Sequence, residues 1–222
     1  MIQRHDANHQ GRDFFVGDVH GQLALLQTEL EAVGFDRKRD RLFSVGDLID
    51  RGSESLACLS LALEPWCHAV CGNHEMLAFD ALLGENRGSP QAHDAWMING
   101  GTWAMTAAHG EVRAMLQRAL PYLPYAREVT VEGRRVGIVH AEPPADWRDV
   151  MPPSQALLWG RTRIMKGDET PVKGIDAVVV GHTIVQRPMR LGNVHYIDTG
   201  AFNTGKLTLI EARDLLREDA SC

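Results

Sequence analysis

Residues 14–21 are Phe14-Phe15-Val16-Gly17-Asp18-Val19-His20-Gly21. A short run of bulky apolar residues that ends at a glycine is typical of a buried strand followed by a tight turn. This turn carries a carboxylate and an imidazole, and the glycines on either side allow the backbone to bend sharply around them. We therefore expect a strand that delivers two potential metal ligands to one edge of a sheet.

The same pattern occurs twice more along the chain. Residues 42–45 form an apolar run that leads into Gly46-Asp47-Leu48-Ile49-Asp50-Arg51-Gly52, and residues 69–70 lead into Gly72-Asn73-His74-Glu75. Each turn again sets oxygen or imidazole donors among glycines. Because consecutive parallel strands end at the same edge of a sheet, these donors are expected to lie close together.

A helix is predicted after each of the three turns. Residues 21–33 place leucines and a valine on one helical face, and Gly34 is suited to end that helix. Ser53 is predicted to cap a second helix that extends to about residue 63, and residues 76–83 are predicted to form a third. Three successive strand–turn–helix units favour an α/β architecture.

The second half of the chain is predicted to be mostly β. Residues 92–120 have a helical pattern with a break at Gly100-Gly101, but residues 128–139 then predict a hairpin that ends at His140. Residues 177–180 predict a strand that ends at Gly181-His182, and residues 194–197 and 207–210 predict closing strands. We therefore expect a mixed α/β fold, with two packed mixed β-sheets in a sandwich flanked by helices, formed as a single domain by residues 1–222.

Composition narrows the classes of partner. The chain has 222 residues, 44% of them apolar and 23% charged, with a net charge of −6, which does not favour a nucleic-acid partner. No apolar run approaches the ~18 residues that a membrane span needs, and the N-terminus lacks the apolar segment of a signal peptide. We expect neither nucleic acid nor membrane as a partner, and a cytoplasmic location.

The cysteines do not form a recognisable metal or disulfide pattern. No CxxC pair occurs, so a structural zinc site is not expected. In a reduced compartment the thiols are expected to be mostly buried and inert. These residues are Cys58, Cys67, Cys71 and Cys222.

A set of metal ligands follows the predicted strand ends. Carboxylate and amide oxygens together with imidazole nitrogens suit two neighbouring divalent cations, and Asp47, in the second of the three units, is the candidate bridge between them. Each residue alone is more often a helix cap, a turn former or a hydrogen-bonded structural group, but their joint occurrence predicts a site for metal-assisted hydrolysis. The candidate ligands are Asp18, His20, Asp47, Asn73, His140 and His182.

The motifs GDVHG, GDLIDRG and GNHE, then His140-Ala141 and finally GHT, resemble the metallophosphoesterase superfamily. More closely, the chain is similar to the bacterial and lambda-phage type of serine/threonine protein phosphatase over about residues 12–211. Residues 99–103 (NGGTW), 159–161 (WGR) and 196–201 (YIDTGA) also match this family. The resemblance implies a β-sandwich flanked by helices that holds two divalent metal ions, with manganese expected and other divalent ions left open.

The resemblance also implies how the ligands are shared and what the neighbouring residues do. The first ion would be held by Asp18, His20 and Asp47, and the second by Asp47, Asn73, His140 and His182. A hydroxide that bridges the two metals would attack phosphorus directly, without a phosphoenzyme. His74 would be the general acid and Asp50 would orient it, while Arg51 and Arg161 would bind phosphate oxygens.

The chain departs from the family pattern at one position beside the site. Many relatives carry arginine immediately before GNHE, where this chain has Cys71. Substrate binding is therefore expected to differ there, and the thiol itself is expected to be buried and inert. His195 is interpreted as structural, and Asp198 as the residue that closes a turn near the site.

Three functions are compatible with these motifs. The first is a phosphatase that acts on phosphoserine and phosphothreonine of a phosphorylated protein or peptide, with phosphotyrosine left open. The second is a symmetrical diadenosine tetraphosphatase, although the chain is short for that family and has Glu75 where aspartate is common. The third is a non-catalytic metal-binding interaction protein, although every ligand and His74 are retained. The physiological substrate and the oligomeric state are left open.

Overall fold

The structure of the chain is a computed structural model that describes residues 2–151 and 154–218. Cys222 and the end of the predicted domain lie outside these residues. The strands are β1 (Gln3–His5), β2 (Asp13–Val16), β3 (Arg41–Ser44), β4 (Cys67–Ala69), β5 (Ala126–Val131), β6 (Arg134–Val139), β7 (Ala177–Val180), β8 (Met189–Leu191), β9 (Val194–Tyr196) and β10 (Leu209–Glu211). The α-helices are α1 (Leu23–Ala32), α2 (Ser55–Ser60), α3 (Asn73–Leu82), α4 (Pro90–Ile98), α5 (His109–Ala119), α6 (Gln155–Trp159), α7 (Thr162–Lys166), α8 (Ala201–Thr204) and α9 (Ala212–Glu218).

The strands form two mixed sheets. One has six strands in the order β1-β5-β6-β7-β9-β8, and the other has four in the order β10-β2-β3-β4. Strands β2, β3 and β4 are parallel to one another, as are β6, β7 and β9 in the other sheet. The prediction of a mixed α/β fold with two mixed sheets and flanking helices is confirmed.

Successive side chains of a strand point to opposite faces of the sheet, and this alternation explains why the two sheets pack face to face. In β2, Phe15 points into an apolar cluster shared by both sheets, whereas its neighbour Phe14 joins a different cluster beneath the helices. In β7, Val179 belongs to the shared cluster, whereas Val178 lies in a third cluster on the outer face. Both faces of β2 and β7 are therefore buried, and a fully buried side chain of this kind contributes about 1.5–3 kcal/mol.

Some predicted boundaries differ from the structure. Ser53 does not cap a helix, because α2 begins at Ser55 after Glu54, and a 3-10 turn, Leu61–Leu63, follows it. Helix α3 begins at Asn73, three residues before the predicted start at Met76, so that Asn73 and His74 lie in its first turn. The parallel register of β3 and β4 brings this turn directly beside the end of β3.

Several short elements were not predicted from the sequence. Strand β1 is polar and pairs in parallel with β5 at the edge of the larger sheet. Strand β8 is only three residues long, and α7 and α9 are short helices of five and seven residues. Elements of this length depend on pairing and packing with distant residues more than on their own periodicity.

The helices in the described parts of the chain do not meet the length and apolarity that a bilayer span requires. Within residues 2–151 and 154–218, none is long and apolar enough to cross a membrane.

Candidate active site

The candidate ligands lie at one end of the sandwich, just beyond the carboxyl ends of five strands. Asp18 and His20 follow β2, Asp47 follows β3, and Asn73 follows β4. From the other sheet, His140 directly follows β6, and His182 comes two residues after β7. Parallel strands deliver their carboxyl ends to the same edge, so both sheets contribute donors to one place.

Asp47 lies at the centre of this group. Its Oδ2 atom is 3.6 Å from His20 Nε2 and 3.4 Å from His140 Nε2. Two sets of potential ligand atoms share this carboxylate. One set comes from His20, Asp47 and His74, and the other comes from Asp47, His140 and His182. Within each set, the atoms lie within 4.8 Å of one another. A single carboxylate is thus shared by two clusters.

The hydrogen bonds of the histidines direct lone pairs into the site. His20 Nδ1 lies 2.8 Å from the Ile49 carbonyl, and His140 Nδ1 lies 2.8 Å from the Val45 carbonyl. In a neutral ring, donation from Nδ1 to a carbonyl leaves Nε2 as the acceptor. Each Nε2 therefore presents a lone pair toward Asp47, which is the arrangement that a ligating histidine adopts.

Asn73 and His182 complete the second cluster. Asn73 Oδ1 lies 2.7 Å from His140 Nε2 and 2.9 Å from His182 Nδ1. His182 Nε2 is buried without a hydrogen-bond partner among the described residues. Because the His140 Nε2 lone pair and the Asn73 oxygen are both acceptors, they can be that close only with a proton or another cation between them. The residues present therefore fit a divalent cation.

Burial sets the protonation state of these imidazoles. It lowers the pKa of His20 and of His182 to about 3, and it also lowers the pKa of His140. Histidine binds metal in its neutral form. The ligand histidines are therefore already in the form that coordination requires at neutral pH.

Buried carboxylates concentrate negative charge beside the histidines. Burial and the neighbouring carboxylates of Asp198 and Asp47 raise the pKa of Asp18 well above its usual value, and burial raises the pKa of Asp198 to about 6. Burial also opposes ionisation of Asp47, but the imidazoles of His140 and His74 outweigh it and lower the pKa of Asp47. A site that buries this many carboxylates is suited to divalent cations, which offset the repulsion.

Asp18 is held on the backbone of the opposite sheet. Its two carboxylate oxygens accept hydrogen bonds from His182 N at 3.2 and 3.0 Å. A Cβ at Gly181 would overlap Asp18 Oδ1, and a Cβ at Gly72 would overlap Asp47 Oδ1. Glycine is required at these two positions because the backbone packs directly against the carboxylates.

His74 and Asp50 form a buried pair next to the cluster. His74 Nδ1 donates to Asp50 Oδ2 at 2.8 Å, and His74 Nε2 lies 3.8 Å from Asp47 Oδ2. Burial alone would lower the pKa of His74, but the carboxylates of Asp47 and Asp50 outweigh it and raise that pKa. His74 therefore differs from the ligand histidines, because its environment favours the protonated ring.

The two predicted phosphate-binding arginines occupy different positions. Arg51 donates toward His20 Nε2 at 2.7 Å, its Nη2 atom lies 3.1 Å from His74 Nε2, and its guanidinium carbon lies 4.3 Å from the ring centre of Phe202. Arg161 is exposed, with Nη2 3.5 Å from the His182 carbonyl. Both arginines are therefore exposed to solvent, but Arg51 contacts two site histidines and Arg161 lies at the rim.

Backbone strain is concentrated in the same place. Among the described non-glycine residues, positive φ angles occur at site positions and at Glu132, which lies in a hairpin turn. The left-handed region costs a non-glycine residue roughly 1–2 kcal/mol. Strain of this kind persists where the surrounding structure determines the backbone, and it clusters at functional sites. The strained site residues are His20, Asp47, Asp50, Arg51 and His182.

Glu75 has a structural role that was not predicted from the sequence. Its carboxylate accepts hydrogen bonds from Asp47 N, Leu48 N, Ile49 N and Gly72 N, at distances from 2.8 to 3.3 Å. Burial and the neighbouring Asp47 raise the pKa of Glu75 to about 7, while these donors favour its charged form. The sequence signal for this role is the glutamate of the GNHE motif. Its side chain connects the loop that follows β3 with the loop that follows β4.

The other sequence-derived interpretations concern residues beside the site. Cys71 is buried, and burial raises the pKa of its thiol well above the ordinary value, as expected for an unreactive cysteine. Asp198 Oδ1 accepts from Gly200 N at 2.8 Å and so closes a turn. His195 is buried in β9. It lies between Val194 and Tyr196, which belong to the third cluster, and so it faces the opposite side of the six-stranded sheet.

Comparisons with known proteins show which family the chain belongs to. Residues 14–186 match the family model described as calcineurin-like phosphoesterase. The chain is 41% identical over 214 residues to serine/threonine-protein phosphatase 1 of Salmonella typhimurium, an alignment that covers 94% of this chain and 95% of the relative. A symmetrical bis(5'-nucleosyl)-tetraphosphatase of Shewanella frigidimarina is 40% identical over only 90 residues, or 39% of this chain and 32% of the relative.

Among solved structures, a metallophosphoesterase from Sphaerobacter thermophilus superposes with a TM-score of 0.55 at 18% identity, covering 96% of this chain and 95% of that one. At this identity the superposition supports the fold. The family model covers most of the chain, and the phosphatase relative is matched over nearly its whole length. This chain belongs to the calcineurin-like phosphoesterase family.

Proposed function

We propose that this protein is a metal-dependent phosphatase that hydrolyses phosphoserine and phosphothreonine esters in proteins or peptides. The observation that carries the proposal is the buried Asp47 carboxylate, shared by two clusters of potential ligands, with the His74–Asp50 pair beside it. The full-length similarity to a serine/threonine-protein phosphatase supports the substrate class.

We assign the ligands in two overlapping sets. The first ion would be held by Asp18, His20 and Asp47, and the second by Asp47, Asn73, His140 and His182, with manganese as the expected metal. When bound, the divalent cations would act as Lewis acids that activate water and neutralise phosphoryl charge. Asp47 and Asp18 would supply the carboxylate oxygens, and the histidines would supply neutral nitrogen ligands.

The remaining residues would bind the phosphoryl group and supply the proton that the departing oxygen takes. Arg51 lies beside His74 and offers a planar set of donors to the phosphoryl oxygens. Arg161, at the rim of the site, would contact the phosphoryl group as it enters or once it is bound. His74 would donate its Nε2 proton to the departing oxygen, while Asp50 holds Nδ1 and favours the protonated ring.

The experiment is a substrate panel on manganese-loaded enzyme. A phosphoserine peptide should be hydrolysed to free phosphate, and chelation should abolish the activity. Diadenosine tetraphosphate serves as the competing substrate under the same conditions. Rapid cleavage of the dinucleotide with no turnover of phosphopeptide would overturn the proposal, and no hydrolysis of any ester by metal-loaded protein would instead favour a binding protein.

A further inference from the structure

The carboxylate of Asp50 is completely buried and accepts hydrogen bonds from two indole rings. Trp96 Nε1 lies 2.9 Å from Oδ1, and Trp103 Nε1 lies 2.8 Å from the same oxygen. Oδ2 faces His74 Nδ1 at 2.8 Å, with Trp96 Nε1 also 3.2 Å away. Asp50 is therefore held by two neutral donors while one oxygen stays directed at His74.

The glycine turn between the tryptophans allows both rings to reach one carboxylate. A Cβ at Gly101 would lie 2.7 Å from Trp96 Nε1, and a Cβ at Gly100 would lie 2.7 Å from Arg51 Cγ. Gly100 also has a φ of 116°, and its carbonyl accepts from Arg51 N at 2.9 Å. The NGGTW segment thus connects Trp96 to Trp103 and packs against the strained turn that carries Asp50 and Arg51.

Indole is chemically suited to this position. It donates one hydrogen bond, carries no charge and has no acceptor atom. A guanidinium or ammonium group in its place would neutralise Asp50 and compete with His74 for the carboxylate. The rings of Trp96 and Trp103 meet edge to face, with centroids 6.2 Å apart and planes at 83°. Each ring thereby limits the movement of the other, and Asp50 Oδ2 stays directed at His74 Nδ1.

We propose that Trp96 and Trp103 are positioning residues for phosphoester hydrolysis, because they fix Asp50 so that His74 directs Nε2 at the departing oxygen. The inference rests on the proposed function. In that step an oxygen from water forms a bond to phosphorus, and the bond from phosphorus to the departing oxygen breaks. The departing oxygen keeps the electron pair and takes the proton from His74 Nε2, and the proton that the water loses restores the charge balance. The indole nitrogens donate to Asp50 in the structure, so their removal should impair this proton transfer and leave phosphate binding intact.

The test compares two leaving groups in manganese-loaded Trp103→Phe and Trp96→Phe proteins. Serine alkoxide needs a proton as it departs, whereas 2,4-dinitrophenolate does not. We expect kcat for a phosphoserine peptide to fall by about 10- to 100-fold, the size of effect seen when groups that orient a functional side chain are removed. We expect kcat for 2,4-dinitrophenyl phosphate and both KM values to change by less than about 2-fold.

Trp147 provides a matched control. It is equally buried, and its Nε1 donates to Glu128 Oε2 at 2.8 Å, on the outer face of the six-stranded sheet. Trp147→Phe therefore removes another buried indole–carboxylate hydrogen bond outside the site. It should lower thermal stability about as much as Trp103→Phe does, without altering the ratio of the two kcat values.

Two further measurements separate positioning from general loosening of the fold. In a His74→Asn background, Trp103→Phe should cause no additional loss on the phosphoserine peptide, because its effect passes through His74. In metal-free protein, Asp50→Asn should shift the indole N–H resonances of Trp96 and Trp103 and leave that of Trp147 in place.

Several results would overturn the inference. Equal losses on the two esters, a further loss in the His74→Asn background, or unmoved indole resonances in Asp50→Asn would each contradict it. These outcomes differ from a failure of the proposed function, in which metal-loaded wild-type protein would hydrolyse neither ester and the inference would fall with it.

Discussion

At the residue scale, the site separates two kinds of histidine by their partners. His20 and His140 donate from Nδ1 to backbone carbonyls, and burial lowers their pKa values. His74 instead donates to the Asp50 carboxylate, and its pKa is raised. In the proposed function, one residue type would thus provide both neutral ligands and a proton donor in adjacent positions, since the Nδ1 partner determines which form is favoured.

The substitution His74→Asn tests this separation. It removes the proton donor but none of the assigned ligands, so metal content should stay at two ions per chain. Turnover of a phosphoserine peptide should fall by about 10²- to 10⁴-fold, the usual contribution of a general acid. Metal analysis and steady-state kinetics on the same sample check both parts.

Asp47→Asn is the contrasting variant. Because its carboxylate is shared by both ligand clusters, we expect occupancy of both sites to decline together. Loss of metal from His74→Asn would contradict the assigned role of His74, and loss of only one ion from Asp47→Asn would argue against a shared ligand.

At the element scale, the turn after β3 and the first turn of α3 form one unit. Glu75, in the first turn of α3, accepts hydrogen bonds from backbone N–H groups of Asp47, Leu48 and Ile49. Asp47 Oδ1 accepts in return from His74 N at 3.0 Å. Two successive strand–helix connections are thereby fastened to each other, which explains how residues in strained backbone keep a defined geometry.

Glu75→Gln tests this connection. The amide keeps one acceptor oxygen and turns its NH₂ group toward backbone donors, so buried N–H groups lose their partner. We expect the free energy of unfolding of the metal-free protein to fall by about 2–4 kcal/mol, measured by urea denaturation.

Glu64→Gln is its matched control. Glu64 is exposed and accepts from Trp66 Nε1 at 3.1 Å, a bond that glutamine can retain. Its effect should remain within about 0.5 kcal/mol. Equal stability of the two variants would show that Glu75 does not hold the loops together.

At the scale of the whole molecule, the site exists because two sheets end at the same place. His140 Nδ1 reaches the Val45 carbonyl across the sandwich, and His182 N donates to Asp18. Divalent ions bound here would join the two sheets and offset the repulsion of the buried carboxylates. Metal binding is therefore expected to stabilise the fold as a whole.

Thermal denaturation with and without metal checks this expectation. At a metal concentration about 100-fold above the dissociation constant, the gain is about 2.7 kcal/mol. For a chain of this size that corresponds to a rise in Tm of roughly 5–10 °C, which chelation should reverse. Asp47→Asn should lose the response, whereas an unchanged Tm in wild-type protein would contradict metal binding between the sheets.

Local sequence was sufficient to predict the principal strands and the identities of the candidate ligands. An apolar run followed by glycine and a polar donor is a local pattern, and its repetition predicts one sheet edge. The start of α3 and the absence of a Ser53 cap were not predictable in this way. Helix ends depend on backbone partners. At the start of α3, Asp47 accepts from His74 N and comes from the turn after β3, which a local pattern does not place there.

By itself, the sequence determined which residues are candidates to hold metal, and it predicted that Asp18, Asp47 and Asn73 share one sheet edge. Only the tertiary structure decided how those donors meet His140 and His182 from the second sheet, because that meeting depends on packing between distant strands. It also decided that Trp96 and Trp103 donate to Asp50, which lies 46 and 53 positions away along the chain. Contacts across such separations leave no period or spacing in the sequence, and a buried tryptophan has the same local pattern whether it supports a core or a carboxylate.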